Sequence, residues 1–158
     1  MKTLVVYYSK TGTTKKVAEV IAQELNADVE EIIDLKDRSG FFGFIFAGRD
    51  TLKKIPTRIK ETIKNPADYD LIVLGSPLWG FKGASPAVRT YLQMNKDSIK
   101  DAAFFLTMGG TPGQKVFDDL TEVLGQVPVG VFEVKQDEVN KDSFQADARK
   151  FAVQLNTI

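Results

Sequence analysis

The chain has 158 residues, 43% of them hydrophobic and 27% charged, with 21 basic and 21 acidic side chains and so no net charge. That is enough apolar material for one well-buried core and too much charge for a membrane protein or a disordered chain, so a single domain spanning 1–158 is expected. Balanced charge argues against a general attraction to nucleic acid, whose affinity rests on neutralised phosphates, and the lack of any Cys or His excludes disulfides, thiolate metal clusters, cysteine nucleophiles and Ser-His triads.

Leu4 to Tyr8 is an apolar run too short to cross a membrane and without a small-residue cleavage pattern. It predicts a buried strand and fits a cytoplasmic protein with no membrane partner. Thr13 or Thr14 then starts a helix with Val17, Val20, Ile21 and Leu25 on one face. A more mixed strand is expected over Val29 to Ile33. The stretch Phe41–Phe46 holds four of the 11 phenylalanines and is followed by a mixed basic segment from Arg49 to Lys64. It suits an irregular or helical cover for the sheet, or an exposed aromatic surface beside a ligand site.

A third strand is expected at Leu71 to Leu74. Ser85 is placed to cap a helix with Pro86 at its first position and Val88, Tyr91 and Leu92 facing inward. The fourth strand covers Ala102 to Met108. A helix from Gly113 to Leu124 carries Val116, Phe117, Leu120, Val123 and Leu124. The fifth strand spans Val129 to Val134, and Lys141-Asp142-Ser143 opens a last helix with Phe144, Ala148, Phe151, Ala152 and Leu155 on its apolar stripe. Continuous Val, Ile, Leu and Phe runs indicate strands buried on both faces. Their alternation with helices predicts an α/β fold around a parallel sheet, with right-handed crossovers placing helices on both sides. The charge pairs Lys15-Lys16, Glu30-Glu31, Lys53-Lys54 and Asp118-Asp119 are expected on solvated faces.

The segment carrying the most chemistry is Tyr8-Ser9-Lys10-Thr11-Gly12-Thr13-Thr14, between the first strand and the first helix. A helix start leaves backbone N–H groups unpaired, with the positive end of the helix dipole behind them. Four hydroxyls and a glycine in six residues let the chain wrap an oxyanion with neutral donors. No Gly-Lys pair follows as in a Walker loop, and Gly12 stands alone, unlike the glycine-rich dinucleotide fingerprint. A response-regulator receiver would need an acidic cluster here and an Asp after the third strand. The chain has Tyr8-Ser9-Lys10 and Gly75-Ser76 instead.

Ser9-x-Thr11-Gly12-x-Thr14 resembles the phosphate-binding loop of the flavodoxins. Gly75-Ser76-Pro77-Leu78-Trp79-Gly80, after the third strand, is similar to their second flavin loop, and Thr107-Met108-Gly109-Gly110-Thr111-Pro112-Gly113 stands where the third belongs. The resemblance implies a three-layer flavodoxin-like α/β sandwich with a five-stranded parallel sheet in the order 2-1-3-4-5. It also implies one noncovalent FMN, with Ser9, Lys10, Thr11, Gly12, Thr13 and Thr14 around its phosphate. Ser76, Pro77, Leu78, Trp79 and Gly80 would meet the ring on one side, and Thr107, Met108, Gly109, Gly110 and Gly113 on the other. Trp79 would stack on the flavin or anchor the loop to the sheet. Gly80 would let the preceding peptide turn its carbonyl to the flavin N5 proton. Gly109, Gly110 and Gly113 would admit backbone to the pyrimidine edge, or simply form a turn.

The implied task is electron transfer through FMN between redox partner proteins or small-molecule donors and acceptors, by a monomer or weak dimer without a catalytic side chain or a metal. The alternatives are an FMN-dependent NAD(P)H or quinone oxidoreductase and a non-redox binder of a phosphorylated metabolite. Well-known flavodoxins are strongly acidic near the flavin, whereas Ser76 to Pro86 and Thr107 to Val116 contain no acid and carry Lys82 and Lys115. Anionic neighbours disfavour the anionic reduced flavin, so a less negative potential is expected here. The third loop also lacks an aromatic to cover the outer ring face.

Overall fold

The computed structural model describes residues 1–36, 56–79 and 83–158. In chain order the elements are β1 (Thr3–Tyr7), α1 (Thr13–Leu25), β2 (Asp28–Glu31), β3 (Leu71–Trp79), β4 (Gly83–Ala84), α2 (Pro86–Asn95), β5 (Asp101–Met108), α3 (Gln114–Leu124), β6 (Gly130–Lys135), α4 (Gln136–Asn140) and α5 (Gln145–Leu155). The sheet runs β2-β1-β3-β5-β6, with every one of these pairings parallel. This is the expected five-strand order, with the two-residue β4 added antiparallel to the end of β3. Among the described residues no helix is long and apolar enough to cross a membrane.

Strand alternation sorts the apolar residues into two layers. Leu4, Val6, Ile72, Leu74, Phe104 and Leu106 face α2 and α3, which contribute Val88, Tyr91, Leu92, Val116, Phe117 and Leu120. Val5, Tyr7, Leu71, Val73, Ala103 and Phe105 face α1 and α5, through Val17, Ile21, Leu25, Ala148, Phe151 and Leu155. Each such Leu, Ile, Val or Phe contributes about 1.5–3 kcal/mol on burial, so helices on both faces are what makes near-continuous apolar strands stable.

Three boundaries differ from expectation by more than one residue. β3 does not stop at Leu74 but continues through Trp79, because Gly75, Ser76 and Pro77 pair with Phe105, Leu106 and Thr107, and Leu78 and Trp79 with Ala84 and Gly83. Pro77 is tolerated because Gly75, two residues before it, turns its carbonyl toward β1 and accepts from Tyr8 N–H at 3.1 Å. The missing N–H of Pro77 therefore points to the same side, beyond the end of β1. The last helix does not open at Lys141. Glu138 accepts Lys135 N–H at 2.9 Å to start the short α4, Asp142 takes a left-handed φ of 54° that ends it, and α5 begins at Gln145. Finally, β2 spans Asp28–Glu31, and Ile32 continues only by donating to Tyr7 O at 2.7 Å.

Three of the acidic charges expected to be solvated are in fact structural. The Glu30 carboxylate accepts Ile63 N–H and Lys64 N–H, both at 3.1 Å. Glu31 accepts the Tyr7 hydroxyl at 3.1 Å, and Asp119 accepts from Arg89 between α2 and α3. Beside β2 the returning chain adds Leu35 N–H to Arg58 O at 2.9 Å and Lys60 N–H to Ile33 O at 2.8 Å. Thr57 is fixed there too: its hydroxyl donates to Asp34 at 2.7 Å, and its carbonyl accepts the Thr90 hydroxyl at 3.1 Å. These bonds tie the returning chain to the segment that follows β2. Lys53-Lys54 and the Phe41–Phe46 stretch lie outside the described residues.

Candidate functional site

The three segments singled out by sequence meet at the C-terminal rim of the sheet. Between β1 and α1 the chain turns at Gly12, whose φ of +89° is left-handed and suits glycine. Gly12 N–H donates to Ser9 Oγ at 3.1 Å, which folds the loop back on itself. The first helical bond is Lys16 N–H to Gly12 O at 3.1 Å. No side chain caps α1 and no acid lies in its first turn, so the N–H groups of Thr13, Thr14 and Lys15 precede the first intrahelical donor and face outward. Thr11 Oγ1 and Thr13 Oγ1 lie 3.3 Å apart beside them. Thr14 is buried instead, and its hydroxyl meets that of Thr107 at 2.8 Å.

From Gly75 to Trp79 the second segment is strand and not loop. Ser76 is fully buried; its hydroxyl donates to Pro77 O and accepts Ser85 N–H, both at 2.9 Å. It therefore works behind the rim, tying β3 to the start of α2, where the Ser85 hydroxyl accepts Val88 N–H at 3.3 Å as a cap. Pro77, Leu78 and Trp79 are half-buried at the rim. Trp79 stands perpendicular to Tyr8, with ring centroids 5.5 Å apart, and packs with Leu78 on the core of that face. The anchoring role weighed for Trp79 is thus present. Lys10 Nζ lies 5.9 Å from the indole centroid. Gly80 lies outside the described residues, as does Lys82.

In the third segment Thr107 and Met108 are buried, while Gly109 and Gly110 are exposed with open space where a side chain would be. Gly113 is different. Its N–H donates to Glu133 Oε2 at 2.8 Å, and a Cβ there would lie 2.6 Å from Leu106 Cδ1 and 2.9 Å from that carboxylate oxygen. Packing within the chain accounts for this glycine. Glu133, absent from the sequence-based candidates, comes from β6 opposite Leu106. The third loop has no acid of its own, yet a carboxylate is bonded to its last residue. The one signal that could have found Glu133 is an acid at the C-terminal end of an apolar strand.

Neither a protein-family model nor a curated protein matches the chain. Among solved structures, a flavoprotein from Lactobacillus acidophilus NCFM, crystallised in complex with FMN, superimposes with a TM-score of 0.70 at 27% identity, covering 90% of this chain and 98% of that one. The fold of the chain is flavodoxin-like. A flavodoxin from the Archaea matches at TM-score 0.61 and 18% identity over 97% of this chain and 94% of its own. The two-electron reduced flavodoxin of Megasphaera elsdenii matches at 0.59 and 17% over 96% and 98%; likeness at these identities is one of fold. In a flavodoxin-like sheet the connections diverge to opposite faces between β1 and β3. Open parallel sheets bind ligands beyond the strand ends at such a point, a rule for which flavodoxin itself is a standard example. Direct contacts join the segments there: Thr14 with Thr107, Tyr8 with Gly75, and Tyr8 with Trp79.

Proposed function

We propose that this chain binds one FMN noncovalently and carries electrons between a donor and an acceptor, each either a redox protein or a small molecule. The observation that carries the proposal is the uncapped start of α1 at the sheet's divergence point. It offers three N–H groups, the positive end of a helix and the hydroxyls of Ser9, Thr11 and Thr13, with no carboxylate in the loop. Such a donor set fits a phosphate dianion. The buried pair of Thr14 and Thr107 supports the fit: it holds two hydroxyl protons, the contact uses one, and the other has no acceptor among the described residues.

In this reading Ser9, Lys10, Thr11, Gly12, Thr13 and Thr14 hold the phosphate. Pro77, Leu78 and Trp79 on one side, with Met108, Gly109 and Gly110 on the other, shape a slot for a flat apolar ring and shield it from water. Ser76 and Gly113 support that slot from behind. The redox chemistry would come from the bound flavin, because the chain has no cysteine to cycle between thiol and disulfide.

Titration of purified apoprotein with FMN, followed by flavin absorbance and fluorescence, tests the proposal. One-to-one binding is expected, weakened about tenfold or more by Thr11→Ala or Trp79→Ala. Absence of binding at high micromolar FMN would overturn it and leave a binder of another phosphorylated metabolite on the same fold.

A further inference from the structure

We infer that Thr107 acts on the phosphate end of the site, as a positioning residue that aims the Thr14 hydroxyl proton at the bound phosphate. This rests on the FMN proposal, and it moves Thr107 from the ring-binding segment, where its place after β5 would put it, to the other end of the ligand. The two hydroxyls are 2.8 Å apart although 93 residues separate them in sequence. Thr14 is 1% and Thr107 5% exposed. Neither side chain has another hydrogen-bond partner among the described residues, so each hydroxyl's direction is set by the other.

A hydroxyl pair can be arranged in two ways, differing in which oxygen donates. If Thr14 donates to Thr107, the leftover proton sits on the strand. If Thr107 donates to Thr14, the leftover proton sits on the helix, within the turn whose N–H groups converge on the proposed phosphate. An anion at that position selects the second arrangement, because a donor chain pointing toward a negative charge is polarised along its length and strengthened. Burial makes the choice matter: in water either proton would find an acceptor, whereas here the phosphate would supply it. Replacing Thr107 by Val keeps the shape of the side chain but removes the donor to Thr14. The Thr14 hydroxyl then loses the partner that fixes its direction.

Comparing FMN with riboflavin, which lacks the phosphate, tests this. In wild type, FMN is expected to bind more tightly than riboflavin. Thr107→Val is expected to raise the FMN dissociation constant about tenfold and leave that of riboflavin unchanged, while Thr107→Ser, which keeps the hydroxyl, retains the wild-type ratio. Equal weakening of both ligands, or no change for FMN, would overturn the inference. Should Thr107→Val fail to fold, Thr107→Ala carries the same comparison. Wild-type protein binding riboflavin as tightly as FMN would instead strike at the phosphate assignment of the loop itself.

Discussion

Gly75 sits where β1, β3 and β5 are all paired, and replacing it with Ala gives the most direct test of how tightly the sheet is packed behind the site. The new methyl carbon would lie 2.0 Å from Phe105 Cζ and 2.4 and 2.6 Å from the two Cε atoms. Carbon atoms settle near 3.5 Å, so the ring would have to retreat by about 1.5 Å. Phe105 has no exposed surface and is enclosed by the layer that includes α1 and α5. Retreat therefore means leaving its rotamer or displacing a helix. Overpacking of this kind costs about 1–3 kcal/mol, and contact with three atoms of one enclosed ring places Gly75→Ala near the upper figure. Urea unfolding followed by circular dichroism reads the loss as a lower midpoint at unchanged slope. Phe105→Leu alone should cost about 1 kcal/mol through the cavity it leaves. Combined with Gly75→Ala it should give back more than about 1 kcal/mol relative to the sum of the two, because the smaller side chain accepts the methyl group. A Gly75→Ala protein within about 0.5 kcal/mol of wild type, or a strictly additive double variant, would refute the packing argument.

Glu133→Ala removes the acceptor for Gly113 N–H and the carboxylate at the start of α3, a helix with no acid in its first turn and no side-chain cap of its own. A stability loss of about 1 kcal/mol is expected in urea, together with faster exchange of the Gly113 amide; with FMN bound, Glu133→Gln should make the midpoint potential less negative in a potentiometric titration, because removing an anion favours the reduced flavin. Tyr69 donates to Asp28 at 2.8 Å, and burial first, then that bond and the charge of Asp28, push its pKa up to about 12. A raised phenol pKa means that the folded state holds the proton more tightly: the contribution to stability is complete below about pH 10 and is lost as pH rises from there toward 12. Unfolding midpoints measured across that window should fall more steeply for wild type than for Tyr69→Phe, and parallel curves would show that Tyr69 does not carry the effect.

What the sequence made legible is what local pattern encodes. The runs at Leu4, Leu71 and Ala102 are strands because unbroken apolar stretches of that length bury on both faces, and the helices from Thr13 and Pro86 begin where turn and cap chemistry says they should. The first loop was legible for the same reason, since its hydroxyls and glycine are contiguous. Gly75-Ser76-Pro77 misled because these residues favour turns in isolation, whereas pairing with β5 holds them extended. Lys141-Asp142-Ser143 has the composition of a helix start but closes one turn before α5 opens. The remaining differences share one cause, which is sequence distance. Arg89 and Asp119 are 30 residues apart, Gly113 and Glu133 are 20, and Thr14 and Thr107 are 93. Composition places each of these polar groups on a surface; only the fold shows that each has a partner.

The two ends of the sheet use their polar groups differently, and the difference bears on how the proposed site would hold an anion in a chain with no net charge. At the N-terminal end full charges neutralise one another. Lys2 N–H donates to Asp70 at 2.7 Å, Asp70 lies 3.6 Å from Lys100, and Lys64 lies 3.8 Å from an Asp28 that also accepts from Tyr69. These largely exposed contacts contribute little energy each. At the C-terminal end the donors of the first loop are mainly N–H groups and hydroxyls, with the charge of Lys10 among them, and the pull of the neutral donors on an anion depends on direction and falls off quickly with distance. A phosphate seated among them would gain several aligned bonds that a polyanion passing at a distance would not. In the FMN reading, selectivity for one small phosphorylated ligand would rest on the kind of donor more than on net charge, and the site would be sensitive to the direction of single hydroxyls such as that of Thr14.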